Sequence, residues 1–142
     1  MELSEALPFI KENHLAVVVT VTKSGRGQST VVSAGWVDGK VGFVSQDATS
    51  KVKNAKRNGR CAVTLIKPDT RRYATVEGPV EIKAWADNSE ADMLALLRKT
   101  YSAAGRDPDT VWEDFDADMR EQKRSVLLVE PASVYGSLRV RG

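Results

Sequence analysis

Asp38-Gly39 separates two stretches rich in β-branched and aromatic residues, Gln28 to Val37 and Lys40 to Ser45. A type I′ turn needs positive φ at both central residues, and Asp-Gly supplies it, so the two stretches are expected to pair as an antiparallel hairpin. The flanking sequence extends the pattern. Leu15 to Thr22 (LAVVVTVT) reads as a strand, and Lys23 to Gly27 as a turn with two glycines. Cys61 to Ile66 (CAVTLI) is a fourth strand, followed by a Pro68-Asp69 turn. Arg71 to Ala84 is a long β stretch with Gly78-Pro79 as a bulge or bend. Ser125 to Val129 is a last strand, and Pro131 to Gly136 closes the fold.

The helical segments are fewer. Residues 4–13 predict a short helix with Pro8 early in it or breaking it. A second is expected from Ser50 to Asn58, with Val52 and Ala55 facing the core and Gly59 past its end. Asp87 with Glu90, and Thr110 with Glu113, have the spacing of capping boxes. Met93, Leu94, Leu97 and Tyr101 share one helical face after the first box, and Trp112, Phe115 and Met119 share one after the second. About six antiparallel strands with three to four helices predict a mainly β fold: a small barrel with appended helices, in a single domain over residues 1–142.

Charge is unevenly spread. Residues 1–86 carry 13 basic and 8 acidic side chains (+5), and residues 87–142 carry 8 and 11 (−3), for the net charge of +2. A local basic site suits a small anionic ligand better than a polyanion, which needs a broader stripe, so no nucleic-acid partner is expected. Cys61 is the one cysteine, so no intrachain disulfide forms, and it reads as a small buried hydrophobe. No apolar run reaches the ~18–20 residues of a membrane span, and the acidic start Met1-Glu2-Leu3-Ser4-Glu5 lacks a signal-peptide core. A cytoplasmic location without membrane partners is the expectation.

The basic element is residues 45–60. A strand feeds Thr49 and Ser50, then a short helix, and from Ser50 to Arg60 there are five Lys or Arg and no acid. Hydroxyls and Lys51 at a helix N-terminus suit an anionic group such as phosphate, because free N–H groups and the helix dipole both favour its charge. A basic run on a short helix is also simply a solvated face. Other chemistries find no support. One His, one Cys and scattered carboxylates give no metal-ligand spacing. Gly25-Arg26-Gly27 follows a strand but opens no helix, and no serine sits in a G-x-S-x-G elbow.

Five features in order resemble the pyridoxamine 5′-phosphate oxidase-like split β-barrel superfamily. They are His14-Leu15-Ala16 before a β-branched strand; Val31 through Trp36 before a hairpin; Ser50-Lys51-Val52-Lys53-Asn54; Tyr73 through Gly78; and Leu128-Val129-Glu130-Pro131 with Val134-Tyr135-Gly136. Within that superfamily the chain is similar to the branch that uses the deazaflavin coenzyme F-420, and especially to its small biliverdin reductases. The resemblance covers roughly residues 5–85 and 123–137. It implies a flavin-reductase or FMN-binding-like split barrel, a homodimer with cofactor sites at the subunit interface, and a cofactor phosphate held near Lys51.

It further implies roles for single residues. Lys51 contacts the phosphate, with hydroxyl and N–H bonds from Thr49 and Ser50. Asn54 either bonds the phosphate or caps the local backbone. Lys53, Lys56, Arg57 and Arg60 either attract the polyglutamate tail of coenzyme F-420 or form a solvated face. Thr30, Val31 and Val32 line the ring system through backbone groups, with Ser45 nearby; the alternative for the valines is barrel core. Trp36 flanks ring or substrate, or is simply packed. Arg72 meets an acidic substrate or lies exposed on a turn, and His14 is a cap or packing residue rather than a proton donor. The activity implied is hydride transfer from reduced coenzyme F-420 to a conjugated acceptor, such as a biliverdin-like tetrapyrrole, a quinone or an enone. An FMN-binding oxidase or reductase is the alternative, with the lack of a recognisable second phosphate-clamping arginine motif against it. A flavin- or deazaflavin-binding protein without turnover is the third reading.

Overall fold

The computed structural model describes residues 1–139; the last three of the expected 1–142 domain lie outside the described residues. Its elements are α1 (Leu3–Glu12), β1 (Leu15–Val21), β2 (Gly27–Val37), β3 (Lys40–Gln46), α2 (Ser50–Asn58), β4 (Arg60–Lys67), β5 (Arg72–Lys83), α3 (Glu90–Ala103), α4 (Trp112–Gln122), β6 (Arg124–Val129) and β7 (Ser133–Ser137). Short 3-10 turns at Pro68–Thr70 and Trp85–Asp87 join the elements around β5. Every strand pairing is antiparallel. The strand order β4-β1-β2-β3-β6-β5, closed by pairing of β4 with β5, makes a six-stranded barrel, and β7 adds to the outer edge of β5. The hairpin forms as the sequence predicts: Asp38 and Gly39 have φ of 50° and 81°.

Two long strands change partners midway, and this splits the barrel. β2 pairs with β1 over Gly27–Ser33 and with β3 over Ala34–Val37. β5 pairs with β4 up to Pro79 and with β7 up to Glu77, then with β6 over Val80–Lys83. The bend in β5 falls at Gly78, where a Cβ would stand 2.0 Å from the Glu130 carbonyl oxygen, so no side chain fits. At Gly35 of β2 a Cβ would stand 2.1 Å from the Ala103 oxygen, because the C-terminus of α3 lies directly on the strand.

Burial follows the two-residue period of the strands. Inward-facing Val18, Phe43, Val63, Leu65, Val76 and Leu127 fill the barrel, and Phe9 and Ile10 of α1 join the same cluster. A second cluster lies outside, where Val126 and Leu128 of β6 are covered by Met93 and Leu97 of α3 and Met119 of α4. Fully burying each such side chain stabilises by about 1.5–3 kcal/mol.

The helix starts differ from the sequence expectation. Ser89, not Asp87, caps α3: its Oγ accepts the Asp92 N–H at 3.1 Å. Thr110 does not cap α4, which starts after Val111 with no side-chain cap. Its hydroxyl bonds instead to the Asp107 carbonyl at 2.6 Å and to the Tyr101 hydroxyl at 3.2 Å. At α3 Ser89 takes the place expected of Asp87, and at α4 the Thr110 hydroxyl is engaged by the Asp107 carbonyl, so no side chain caps that helix. Pro8 does not break α1 but lies inside it. Pro131 to Gly136 contributes a seventh strand rather than a simple closing segment.

Candidate functional site

The split creates a cavity of about 430 Å³, lined by Val31, Val32 and Ser33 of β2, Val44, Ser45 and Gln46 of β3, Thr49, Lys51, Tyr101, Ala104, Gly105 and Arg124. Consecutive strand residues point to opposite faces, so three in a row from each strand line one cavity only through the strand's edge. Hydrogen-bond parity says which residues offer their backbone. Ala34 donates its N–H to the His14 carbonyl at 2.9 Å, toward β1. By alternation, Val32 and Thr30 also face β1, while Ser33 and Val31 aim N–H and C=O into the split. On the opposite wall, Gly42 faces Gly35, so Val44 aims its backbone the same way. The cavity is a slot between two strand edges with free peptide groups on both sides.

At one end of the slot stands the start of α2. Thr49 occupies the N-cap position without capping the helix, since its hydroxyl donates to the Gln46 carbonyl at 2.9 Å and bonds Ser45 Oγ at 3.0 Å. The first N–H groups of α2 are left without a side-chain partner, and the first turn holds no acid. The turn before it is fixed by Asp47, whose Oδ1 accepts from Ser125 Oγ at 3.0 Å and from Lys56 Nζ at 3.1 Å. The Lys56 hydrogen bond holds the Asp47 carboxyl below its usual pKa.

Lys51 and Arg124 both line this cavity, and neither forms an ion pair among the described residues. Burial first, and then the Arg124 charge, push the Lys51 pKa down. Two cations that raise each other's cost, with no acid between them, are electrostatically incomplete, and an anion completes them. Arg124 Nε donates to Gln122 Oε1 at 2.6 Å, which holds the side chain at the rim. The donor set fits a phosphate, and the slot volume lies within the roughly 300–1,000 Å³ of small-molecule sites.

The residues expected from sequence divide into two groups. Lys51, Thr49, Ser45, Val31 and Val32 meet at the cavity. Ser50 is exposed at the start of α2 and Thr30 lies one residue beyond the lining on β2. Asn54 is buried against β1 and β2, where Nδ2 donates to Thr20 Oγ1 at 3.1 Å and Gln28 Oε1 at 2.8 Å, and Oδ1 accepts from Arg57. It anchors α2 to β1 and β2 and does not line the cavity. Arg60 forks onto Glu77, at 2.9 and 3.1 Å, away from the slot. Arg72 donates to Thr70 Oγ1 at 3.1 Å with its guanidinium over the Phe9 ring. Trp36 lines a separate cavity of about 280 Å³ with Lys11, His14, Ser102 and Ala103. His14 Nδ1 lies 3.0 Å from the Ala34 carbonyl.

Sequence reasoning missed Ser33, Val44, Gln46, Tyr101, Ala104, Gly105 and Arg124. Arg124 reaches the slot because β6 pairs with β3 in the register Gln46↔Arg124, a contact between distant parts of the chain. Ser33 and Val44 follow from strand parity once the hairpin register is set. Among the described residues no group of three or more His, Cys, Asp or Glu could hold a metal ion, and no helix is long and apolar enough to cross a membrane.

Comparison with known proteins agrees with this architecture. No curated protein matches the chain. Solved structures similar to it include an F420 reductase (24% identity, TM-score 0.62, covering 95% of this chain and 98% of that one). A conserved hypothetical protein of Mycobacterium tuberculosis aligns at 19% identity and TM-score 0.70, covering 100% and 93%. A pyridoxamine 5′-phosphate oxidase-related, FMN binding protein of Nostoc punctiforme aligns at 16% identity and TM-score 0.63, covering 93% and 76%. At these identities the likeness is one of fold. The model of the family described as pyridoxamine 5′-phosphate oxidase matches residues 3–137, so the split barrel and its slot are those of a member of that family.

Proposed function

We propose that the protein is an oxidoreductase that holds a phosphorylated tricyclic cofactor in the slot, coenzyme F-420 in the first reading and FMN in the second. The observation that carries the proposal is the acid-free pair Lys51 and Arg124 at the end of a slot walled by unpaired strand edges. Lys51, Arg124 and the uncapped first turn of α2 take the phosphate. The free peptide groups of Val31, Ser33 and Val44 orient the ring by bonding its polar edge, and Tyr101 with Ala104 and Gly105 limits how far it slides. The bound cofactor supplies two-electron hydride chemistry to a conjugated acceptor, and the protein supplies position and exclusion of water. Arg124 is a second cation for the phosphate, so the earlier point against FMN loses its force. In favour of the deazaflavin stands the exposed basic surface of α2 at Lys53, beside which an acidic tail can lie.

The proposal includes a homodimer. The outer face of the barrel exposes Leu15 of β1, Val31 of β2, Tyr73 of β5 and Tyr135 of β7, with Val31 at 68%. Register sets Val31 beside Val17, Val17 beside Thr64, Thr64 beside Thr75 and Thr75 beside Tyr135, in one row of valine, threonine and tyrosine whose two hydroxyls in the middle bond each other. Apolar surface of this kind is characteristic of interfaces, and Val31 belongs to both the row and the slot. The test is fluorescence titration of dialysed protein with oxidised coenzyme F-420 and, separately, FMN, with mass measured by light scattering. Saturable binding of either cofactor by a species of twice the chain mass is expected. Binding of neither overturns the assignment of the slot.

A further inference from the structure

The end of α3 borders two cavities. Ala104 and Gly105 line the slot, while Ser102 and Ala103 line a second cavity of about 280 Å³ with Lys11 of α1, His14, and Trp36 of β2. The two cavities share no lining residue. We infer that the second cavity is a binding site for a small aromatic acid that also carries a hydroxyl or amino donor, the hydroxybenzoate class. This inference does not depend on what the slot holds.

Four polar side chains converge here, and each keeps a group free. Among the described residues Lys11 forms no ion pair, and neither its ammonium nor the Ser102 hydroxyl has a hydrogen-bond partner. The Trp36 indole N–H is also without a partner, and no buried side-chain nitrogen or oxygen is left unpaired, so this N–H is open to solvent. His14 Nδ1 lies 3.0 Å from the Ala34 carbonyl oxygen, which can only accept, so Nδ1 carries the proton. A neutral imidazole that donates at Nδ1 keeps an acceptor lone pair at Nε2, and Nε2 has no partner among the described residues.

These groups are held in place by backbone contacts. Ala34 donates its N–H to the His14 carbonyl at 2.9 Å, so the residue is tied to β2 twice. The imidazole lies against Gly105, where a Cβ would stand 3.1 Å from its Cδ2. Ala103 is fixed as well, because its carbonyl is seated on Gly35 with no room for a side chain.

The free groups specify the ligand. The Lys11 ammonium suits an anion, the indole N–H an acceptor, and His14 Nε2 a donor. A carboxylate has one oxygen for each of the first two, and a phenolic O–H or an amine N–H meets the third. A hydrocarbon leaves all three unpaired, and sulfate brings no donor for Nε2. Trp36 adds an aromatic surface for a ring. A cavity of about 150 Å³ holds benzene and drug-sized ligands occupy about 300–1,000 Å³, so the volume suits one substituted ring.

The probe is 4-hydroxybenzoate, titrated into the full chain and followed by NMR. His14 is the only histidine, so its ring protons give one assignable set of signals. These, and the Trp36 indole N–H identified by its loss in Trp36→Phe, should shift saturably, with little change at Val31 and Val44. Benzoate lacks the donor and should bind about fivefold more weakly, the equivalent of one neutral hydrogen bond. Lys11→Met should weaken 4-hydroxybenzoate binding by about tenfold, the scale of a hydrogen bond to a charged group. Ser102→Trp, at an exposed position, should fill the cavity and remove binding. Absence of saturable shifts at His14 overturns the inference, as does benzoate binding as tight as that of 4-hydroxybenzoate. Shifts centred on Val31, Val32 and Ser45 that vanish in Lys51→Ala also overturn it, because they place the acid in the slot.

Discussion

Lys51 and Arg60 bracket the same helix, come from the same basic run, and end in opposite situations. Lys51 is half-buried, lines the slot and has no acid partner; Arg60 is exposed on β4 and forked onto Glu77. The sequence offers both as candidates for an anion, Lys51 for a phosphate and Arg60 for an acidic tail or else a solvated face. The difference is pairing: a cation already satisfied by a carboxylate has little left to offer a ligand, while one held beside another cation gains from an anion.

The sharpest attempt to break this contrast is removal of the unpaired cations. Lys51→Ala and Arg124→Ala should each weaken cofactor binding by about 10- to 100-fold, the equivalent of one charge-assisted hydrogen bond, with an unchanged circular dichroism spectrum. Retained affinity in both would mean that the slot does not depend on its charges.

Asn54→Ala comes next and acts on stability. Loss of its amide leaves Thr20 and Gln28 without that donor, and the cost is about 1–3 kcal/mol in urea unfolding. Affinity lost without a loss of stability would instead make Asn54 a ligand-binding group.

A smaller effect is expected from Lys51→Met without cofactor. The folded pKa of Lys51 lies below its ordinary 10.5, so between the two values the unfolded chain binds more protons and stability rises with pH. At neutral pH the charged lysine therefore costs the fold something. The methionine variant should melt slightly higher than wild type at pH 7, and the gap should close as pH rises through 10.5. A lower Tm would show that Lys51 has a structural partner.

Smallest of all is Arg60→Ala. Cofactor affinity should not change, because the guanidinium is engaged by Glu77 outside the slot. A clear loss would extend the binding surface along α2 to β4.

What could be read in the sequence was mostly what neighbours along the chain decide. The Asp38-Gly39 turn, the α2 helix ending at Gly59 with φ 69°, and the inward alternation of β1 all follow from local conformational preference and period. That Thr49 and Lys51 meet at one cavity was legible for the same reason, since both are adjacent to the strand that leads into them. Arg124 and Tyr101 were not, because strand pairing and helix docking bring them there from more than fifty residues away. Asn54 shows the opposite limit. Its helical spacing from Lys51 placed both on one side, but the packing of α2 on β1 turned the amide inward.

The excursion that carries α3 and α4 leaves the barrel after Lys83 and returns at Arg124, on two strands already zipped together from Val80↔Val129 to Lys83↔Val126. Its two ends are thus pinned side by side by the barrel itself. Loops anchored in this way tolerate insertion and replacement well. Over evolutionary time, or in a designer's library, residues 84–123 can be lengthened, shortened or exchanged while both ends stay in register, provided that the replacement keeps apolar cover over Val126 and Leu128. Most of the slot is encoded elsewhere, so one inherited chassis can be refitted for different partners by rewriting one paragraph of its text.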